Sequence, residues 1–198
     1  MQMENKDNRI GEVVEATTTS FISQCYKLYN SPHLGSLIKT GGPYPTYGIV
    51  YNIITQGIDP SRKPVVRGIN SSSEEEVYRL NPQLEHLLRT DFYSVSIGYI
   101  QGDNIIYHLP PAPPPIYSFV QKCDGLDLIN FSSRLEFIKI LCSSGIPALD
   151  EVISAFIRNL ADSQQDKENF LINVGKELIY AFPGDFRKME SILQKVLS

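Results

Sequence analysis

The hydrophobic repeat of this chain changes length once, near Cys123, and that change limits the possible folds more than any other feature. Before it, short runs of β-branched and aromatic residues are cut apart by glycine and proline: IGEVVEAT from Ile10, FISQCYKLY from Phe21, LGSLIKT from Leu34, YGIVYNIIT from Tyr47, DFYSVSIGYI from Asp91, IIYHL from Ile105 and IYSFVQKC from Ile116. After it, apolar residues recur with a period near 3.6. Successive side chains of a strand point to opposite faces, whereas a helix brings positions three and four apart together, so one segment cannot satisfy both patterns. The switch predicts two parts in order: strands over 9–122 and helices over 123–198.

In the first part, turn signals fall between the runs, at Pro32 to Gly35 and at Gly41, Gly42, Pro43 and Pro45. Short strands at this spacing predict a barrel or sandwich rather than alternating βαβ units. In FISQCYKLY both parities carry apolar residues, which predicts cover on both sides of that strand. GIDPSRKPVVRG, from Gly57 to Gly68, reads as an excursion and holds the densest basic cluster, Arg62, Lys63 and Arg67. A helical insertion follows near 73–89. Ser73 and Glu76 have capping-box spacing, Glu74 and Glu75 suit the positive end of a helix dipole, and Pro82 suits the start of a second short helix carrying Leu84, Leu87 and Leu88. Pro110 to Pro115, five prolines and one alanine, predict a stiff polyproline spacer, with a ligand for an SH3-type partner as the alternative.

In the second part, Ser133 and Glu136 again have capping-box spacing, ahead of a helix with Leu135, Ile138, Leu141 and Cys142. From about Pro147 a continuous stripe runs through Leu149, Val152, Ile153, Phe156, Ile157 and Leu160. A third helix starts near Asp166 and stops at Pro183-Gly184, and a last one buries Met189, Ile192, Leu193, Val196 and Leu197. A helical tail of this size has a marginal core of its own and is expected to pack on the strands. The predicted fold class is α+β: a small closed N-terminal β-barrel with a short helical insertion, followed by a C-terminal α-helical bundle.

Several chemistries find no support. The formal net charge is −4, unlike the basic balance of most nucleic-acid binders. GxxxxGK[ST], GxGxxG and GxSxG are all missing. Ser36-x-x-Lys39 and Lys39-Thr40-Gly41 mimic penicillin-binding-protein motifs, but that chemistry needs two lysines and here both motifs share Lys39. His33, His86 and His108 are dispersed, and Cys25, Cys123 and Cys142 form no CxxC pair, so no catalytic residue, cofactor or metal ligand is assigned. MQMENKDNRI has no apolar core for a secretory leader, and no run approaches the roughly 18 apolar residues of a membrane span, which predicts a cytoplasmic chain with reduced thiols. The N-glycosylation patterns at Asn70 and Asn130 then carry no meaning.

What remains points to a partner. Tyr44 and Tyr47 flank a proline-rich turn, close in sequence to Arg62, Lys63 and Arg67. Aromatic residues and arginine are over-represented at binding hot spots. These five residues are the partner-binding candidates.

Three glycine-marked segments carry a family resemblance: Ile10-Gly11-Glu12-Val13-Val14, Pro32-His33-Leu34-Gly35-Ser36-Leu37-Ile38 and Tyr47-Gly48-Ile49-Val50. The pattern resembles the HAS barrel, the N-terminal β-barrel of HerA-type DNA translocases and of the α and β subunits of rotary ATP synthases. The layout, including LRTDFYSVSIGY and LPPAPPPIYSFV, is also similar to cyanobacterial proteins with a stand-alone HAS barrel. Each glycine marks a place where a tightly coiled small barrel needs a kink or a close approach. The relatives' ATPase domain is replaced here by a helical tail without a P-loop, so the resemblance implies no ATPase. It implies a non-enzymatic assembly or adaptor module that docks a protein partner or itself. The alternative is an accessory factor of a DNA-processing translocase complex, and a more remote one is an enzyme with dispersed site residues.

Overall fold

The computed structural model describes residues 8–59 and 61–197. Seven strands form one antiparallel sheet: β1 (Arg9–Ala16), β2 (Ser20–Cys25), β3 (Leu37–Thr40), β4 (Thr46–Gly57), β5 (Leu88–Gln101), β6 (Asn104–Ile106) and β7 (Phe119–Lys122). Its order is β2-β1-β7-β3-β4-β5-β6, and β2 pairs in addition with β5, from Ser20 opposite Val95 to Gln24 opposite Asp91. Helices α1 (Glu74–Leu80) and α2 (Leu84–Leu87) lie between β4 and β5. Five more follow the sheet: α3 (Gly125–Ser132), α4 (Phe137–Cys142), α5 (Leu149–Ser163), α6 (Lys167–Ala181) and α7 (Phe186–Leu197). The chain is therefore α+β, an antiparallel sheet followed by C-terminal helices.

Alternation sorts the strand residues onto two faces. One face gathers Val13, Phe21, Cys25, Ile38, Val50, Phe92 and Val120. The other presents Leu37, Ile49, Val95 and Ile97 to the helices, where Phe131, Phe137 and Phe156 join the same core. The tail thus packs on the strands, as its size requires. In β2, Phe21, Ser23 and Cys25 are buried while Ile22 and Gln24 are half-covered, and Tyr26 and Tyr29 lie exposed beyond its end.

The three glycines of the family pattern occupy positions that a side chain cannot share. A Cβ on Gly11 would stand 2.1 Å from the Gln24 carbonyl oxygen, and one on Gly48 would stand 2.7 Å from the Phe21 ring. Both positions border register shifts, where the strands bend. Gly35, at φ +75°, presses on α5: its Cβ would meet Ala155 Cβ and Phe156 N, each at 2.7 Å.

Several local expectations need correction. The proline run is no spacer between the two parts. It joins β6 to β7, which lies between β1 and β3, and Pro110 and Pro114 are buried. Helix α3 gives no sign in the sequence pattern, because its eight residues are roughly two turns and Leu126, Leu128, Ile129 and Phe131 are not at a clean helical spacing. Its Phe131, inside the glycosylation pattern at Asn130, is fully buried. Ser133 caps no following helix. Its hydroxyl donates back to Asn130 O, while Glu136 pairs with Arg134. At Ser73 the cap forms, with Glu76 N donating to Ser73 Oγ at 3.3 Å, but Glu76 Oε2 accepts from Ser72 N and Ser72 Oγ, one residue earlier than a capping box requires. In α7, Ile192 and Val196 are buried and Met189 and Leu193 pack against them, whereas Leu197 is exposed.

Candidate interaction surface

Gly57 and Leu88 pair as the last rung of β4 and β5, so the chain between them leaves the sheet and returns to the same place. Among the described residues of 58–87, none is buried. Neither α1 nor α2 contributes a side chain to a core. Val65, Val66 and Ile69 are 70%, 91% and 88% exposed, and Val66 and Ile69 are the two most open aliphatic side chains among the described residues. An excursion of this length without a core of its own is unusual, since burial is what normally offsets the entropy of ordering a chain.

Polar contacts shape the excursion. Arg62 Nε lies 3.5 Å from Asp59 Oδ2, and both side chains are largely exposed. Arg67 Nη1 donates to Asn81 Oδ1 at 3.3 Å, which ties the basic stretch to the end of α1. Tyr78 on α1 meets Tyr29 edge-on, with their hydroxyls 2.5 Å apart. Glu75 is held below the usual carboxylate range by its own backbone N–H and the Ser73 hydroxyl. Ser72 lowers Glu76 in the same way through its N–H and hydroxyl. A groove of about 380 Å³ runs beneath, with Ile58, Leu84 and Leu87 beside Arg62, Lys63 and Arg67.

The five partner-binding candidates do not form one site. Arg62, Lys63 and Arg67 share the excursion and its groove. Tyr44 is 37% exposed and edge-on to Tyr99, but it sits at the opposite end of β4. At roughly 3.3 Å per residue, the twelve residues of β4 put some 30 Å or more between it and the basic cluster. Tyr47 is no surface residue. It is 3% exposed, its ring centroid lies 4.8 Å from that of Phe131, and burial pushes its hydroxyl far above the ordinary range. The turn that brings Tyr44 and Tyr47 together in sequence sends their side chains to different environments.

Sequence reasoning missed Val65, Val66, Ile69, Glu74 and Glu75 as members of the surface. The signal was present in Pro64-Val65-Val66-Arg67-Gly68-Ile69, an aliphatic run that neither a strand nor a helix pattern absorbs.

The chain's other reactive groups are scattered. His33, His86 and His108 line different clefts. Ser36 is buried, and Lys39 pairs at 3.6 Å with Asp127 of α3. Among the described residues no three His, Cys, Asp or Glu side chains are grouped to hold a metal ion. The cysteines are free thiols: burial, with Asp91 nearby, pushes Cys25 up to about 11, and burial pushes Cys142 up to about 12 and Cys123 higher still. Among the described residues no helix is long and apolar enough to cross a membrane.

Fold and surface together define an α+β protein that holds an exposed, coreless, charged and aliphatic excursion away from an antiparallel sheet. No protein-family model matches the chain, and no curated protein matches it.

Proposed function

We propose that this chain is a non-enzymatic assembly module: a closed HAS-like barrel, braced by the helical tail, that presents the 58–87 excursion to a protein partner. The observation that carries this reading is the absence of any buried residue among the described residues of that excursion, together with its three open aliphatic side chains. Exposed apolar surface of this kind marks interaction sites.

Closure of the barrel is supported by the strand pairings. β2 bonds to β1 and β5, β7 to β1 and β3, and β4 to β3 and β5, so a circuit of six strands can be traced without meeting an edge. The close approaches at Gly11 and Gly48 suit a small, strongly coiled barrel. Such a body is stiff, which suits a platform for a docking segment. Partner docking in the cytoplasm is part of the same proposal.

The test is affinity capture from the native cell with the wild-type chain and with Val66→Asp/Ile69→Asp, followed by hydrogen exchange on the captured complex. Partner loss in the variant and protection over 61–80 in the complex are expected. Equal capture by both chains would rule the surface out.

A role beside a DNA translocase rests on the exposed Arg62, Lys63 and Arg67. Asp59, Glu74 and Glu75 stand in the same excursion and repel phosphate, so protein contact is the stronger reading. Salt-sensitive DNA binding lost on removing the three cations would reverse that order.

A further inference from the structure

The excursion carries both signs of charge, the cations tied to one end of α1 and the acids at the other. Arg62, Lys63 and Arg67 are exposed on the stretch that leaves β4, and Glu74 and Glu75 are exposed in the first turn of α1. The two stretches are held together. The Cβ position of Gly68 lies 3.1 Å from Val77 Cγ2, and Arg67 is hydrogen-bonded to Asn81. Val65, Val66 and Ile69 add an open apolar patch to the same segment.

Charge decides which occupant fits. An anionic membrane or a nucleic acid would gain the three cations and meet Glu74 and Glu75 as repulsion. A uniformly acidic peptide meets the same obstacle. A surface that bears the two signs at separate places is matched by a copy of itself turned through 180° about an axis between them, because rotation lays the cations of one copy over the acids of the other, twice. The aliphatic patch then faces its own image and is removed from water, which is favourable in proportion to the apolar area covered.

We infer that this surface joins two copies of the chain across a two-fold axis, with Arg62, Lys63 and Arg67 of each facing Glu74 and Glu75 of the other and Val65, Val66 and Ile69 sealed between them. The inference rests on the reading of the excursion as a protein-docking face and names its occupant.

Sedimentation of the full chain over roughly a hundredfold concentration range tests it, since dimer formation follows mass action. A dimer that weakens as salt rises is expected. Lys63→Glu/Arg67→Glu sets acid against acid, Glu74→Lys/Glu75→Lys sets base against base, and each should weaken self-association by about tenfold or more. Mixing the two reversed chains should restore a heterodimer, because the acids placed at 63 and 67 of one, with its Glu74 and Glu75, then face cations of the other at both sets of positions. Val66→Asp/Ile69→Asp should also leave monomer. All six substituted side chains are exposed, so unfolding temperatures should match the wild type to within a few degrees, which keeps loss of folding apart from loss of docking.

A chain that stays monomeric at every concentration overturns the inference, as does a dimer indifferent to these substitutions or a mixture that fails to associate. If the chain is monomeric while Val66→Asp/Ile69→Asp still strips a partner in capture, the self-pairing falls and the docking reading stands. If capture is also indifferent, both fall.

Discussion

Replacing Gly35 by alanine tests the contact that couples the strands to the helices. Gly35 sits at φ +75°, its N–H donates to Val50 O at 2.8 Å, and its carbonyl accepts from Asn159 Nδ2 of α5 at 3.2 Å. Two penalties follow from one methyl group. The left-handed backbone costs a residue with a Cβ about 1–2 kcal/mol. The methyl would also lie 2.7 Å from both Ala155 Cβ and Phe156 N, and forcing an extra carbon into packed surroundings costs about 1–3 kcal/mol. The sum is about 2–5 kcal/mol, or roughly 5–15 °C in unfolding temperature for a chain of this length. Gly102→Ala separates the two terms: Gly102 has φ +61° with nothing within 4 Å of its Cβ position, so it incurs the backbone term alone. Denaturant unfolding of both variants and of Gly35→Ala/Ala155→Gly is the assay. Removing the Ala155 methyl relieves one of three close contacts and leaves Phe156 N and Ala155 C, at 2.7 and 2.9 Å, in place, so partial recovery is expected. Equal losses from Gly35→Ala and Gly102→Ala would refute the claim that α5 is pressed against this turn.

Phe131→Ala removes a ring packed on those of Tyr47, Tyr107, Phe137 and Phe156, at centroid separations of 4.8, 5.3, 5.3 and 6.5 Å, and should cost about 3–5 kcal/mol by denaturant unfolding. Tyr107→Phe deletes the 2.6 Å hydrogen bond that the hydroxyl donates to Phe131 O and should cost about 1–3 kcal/mol, because a buried carbonyl loses its partner. Raising the pH through the alkaline range should destabilise the fold. The unfolded Cys25 thiol loses its proton near 9.0 and the folded one near 11, so stability is lost as pH climbs between those values, and Cys25→Ala should flatten that limb of the pH profile. At neutral pH, thiol labelling of Cys25 and Cys142 should be slow until denaturant is added, since burial holds both as protonated thiols.

Much of this architecture is readable from local pattern. Alternation placed the strands within a few residues of their true ends, and the 3.6 repeat located α5 because six apolar residues at helical spacing leave no other way to share one face. Ser73 was readable as a cap because a cap needs only a side chain and a backbone N–H within one turn, whereas Asp166, which caps α6, was read only as the place where a helix starts. Ser133 and Glu136 show the limit of that reasoning: the spacing of a capping box was present, but Ser133 already belonged to the end of α3. Arg62, Lys63 and Arg67 could be found as a cluster because charge density is a property of the sequence itself. That Val65 and Val66 would stay in water could not be found, since nothing in an aliphatic run says whether a core will reach it.

The sequence by itself determined where strands give way to helices, which residues turn the chain and which charges are neighbours along it, since these depend on contacts a few residues long. The tertiary structure alone decided that β2 finds β5, that Tyr47 is buried on Phe131 while Tyr44 is left at the surface, and that none of the described residues of the excursion from 58 to 87 enters a core. Burial is a property of the whole packed arrangement: whether a side chain meets water or another side chain is set by segments distant in sequence, and no window of neighbouring residues contains them.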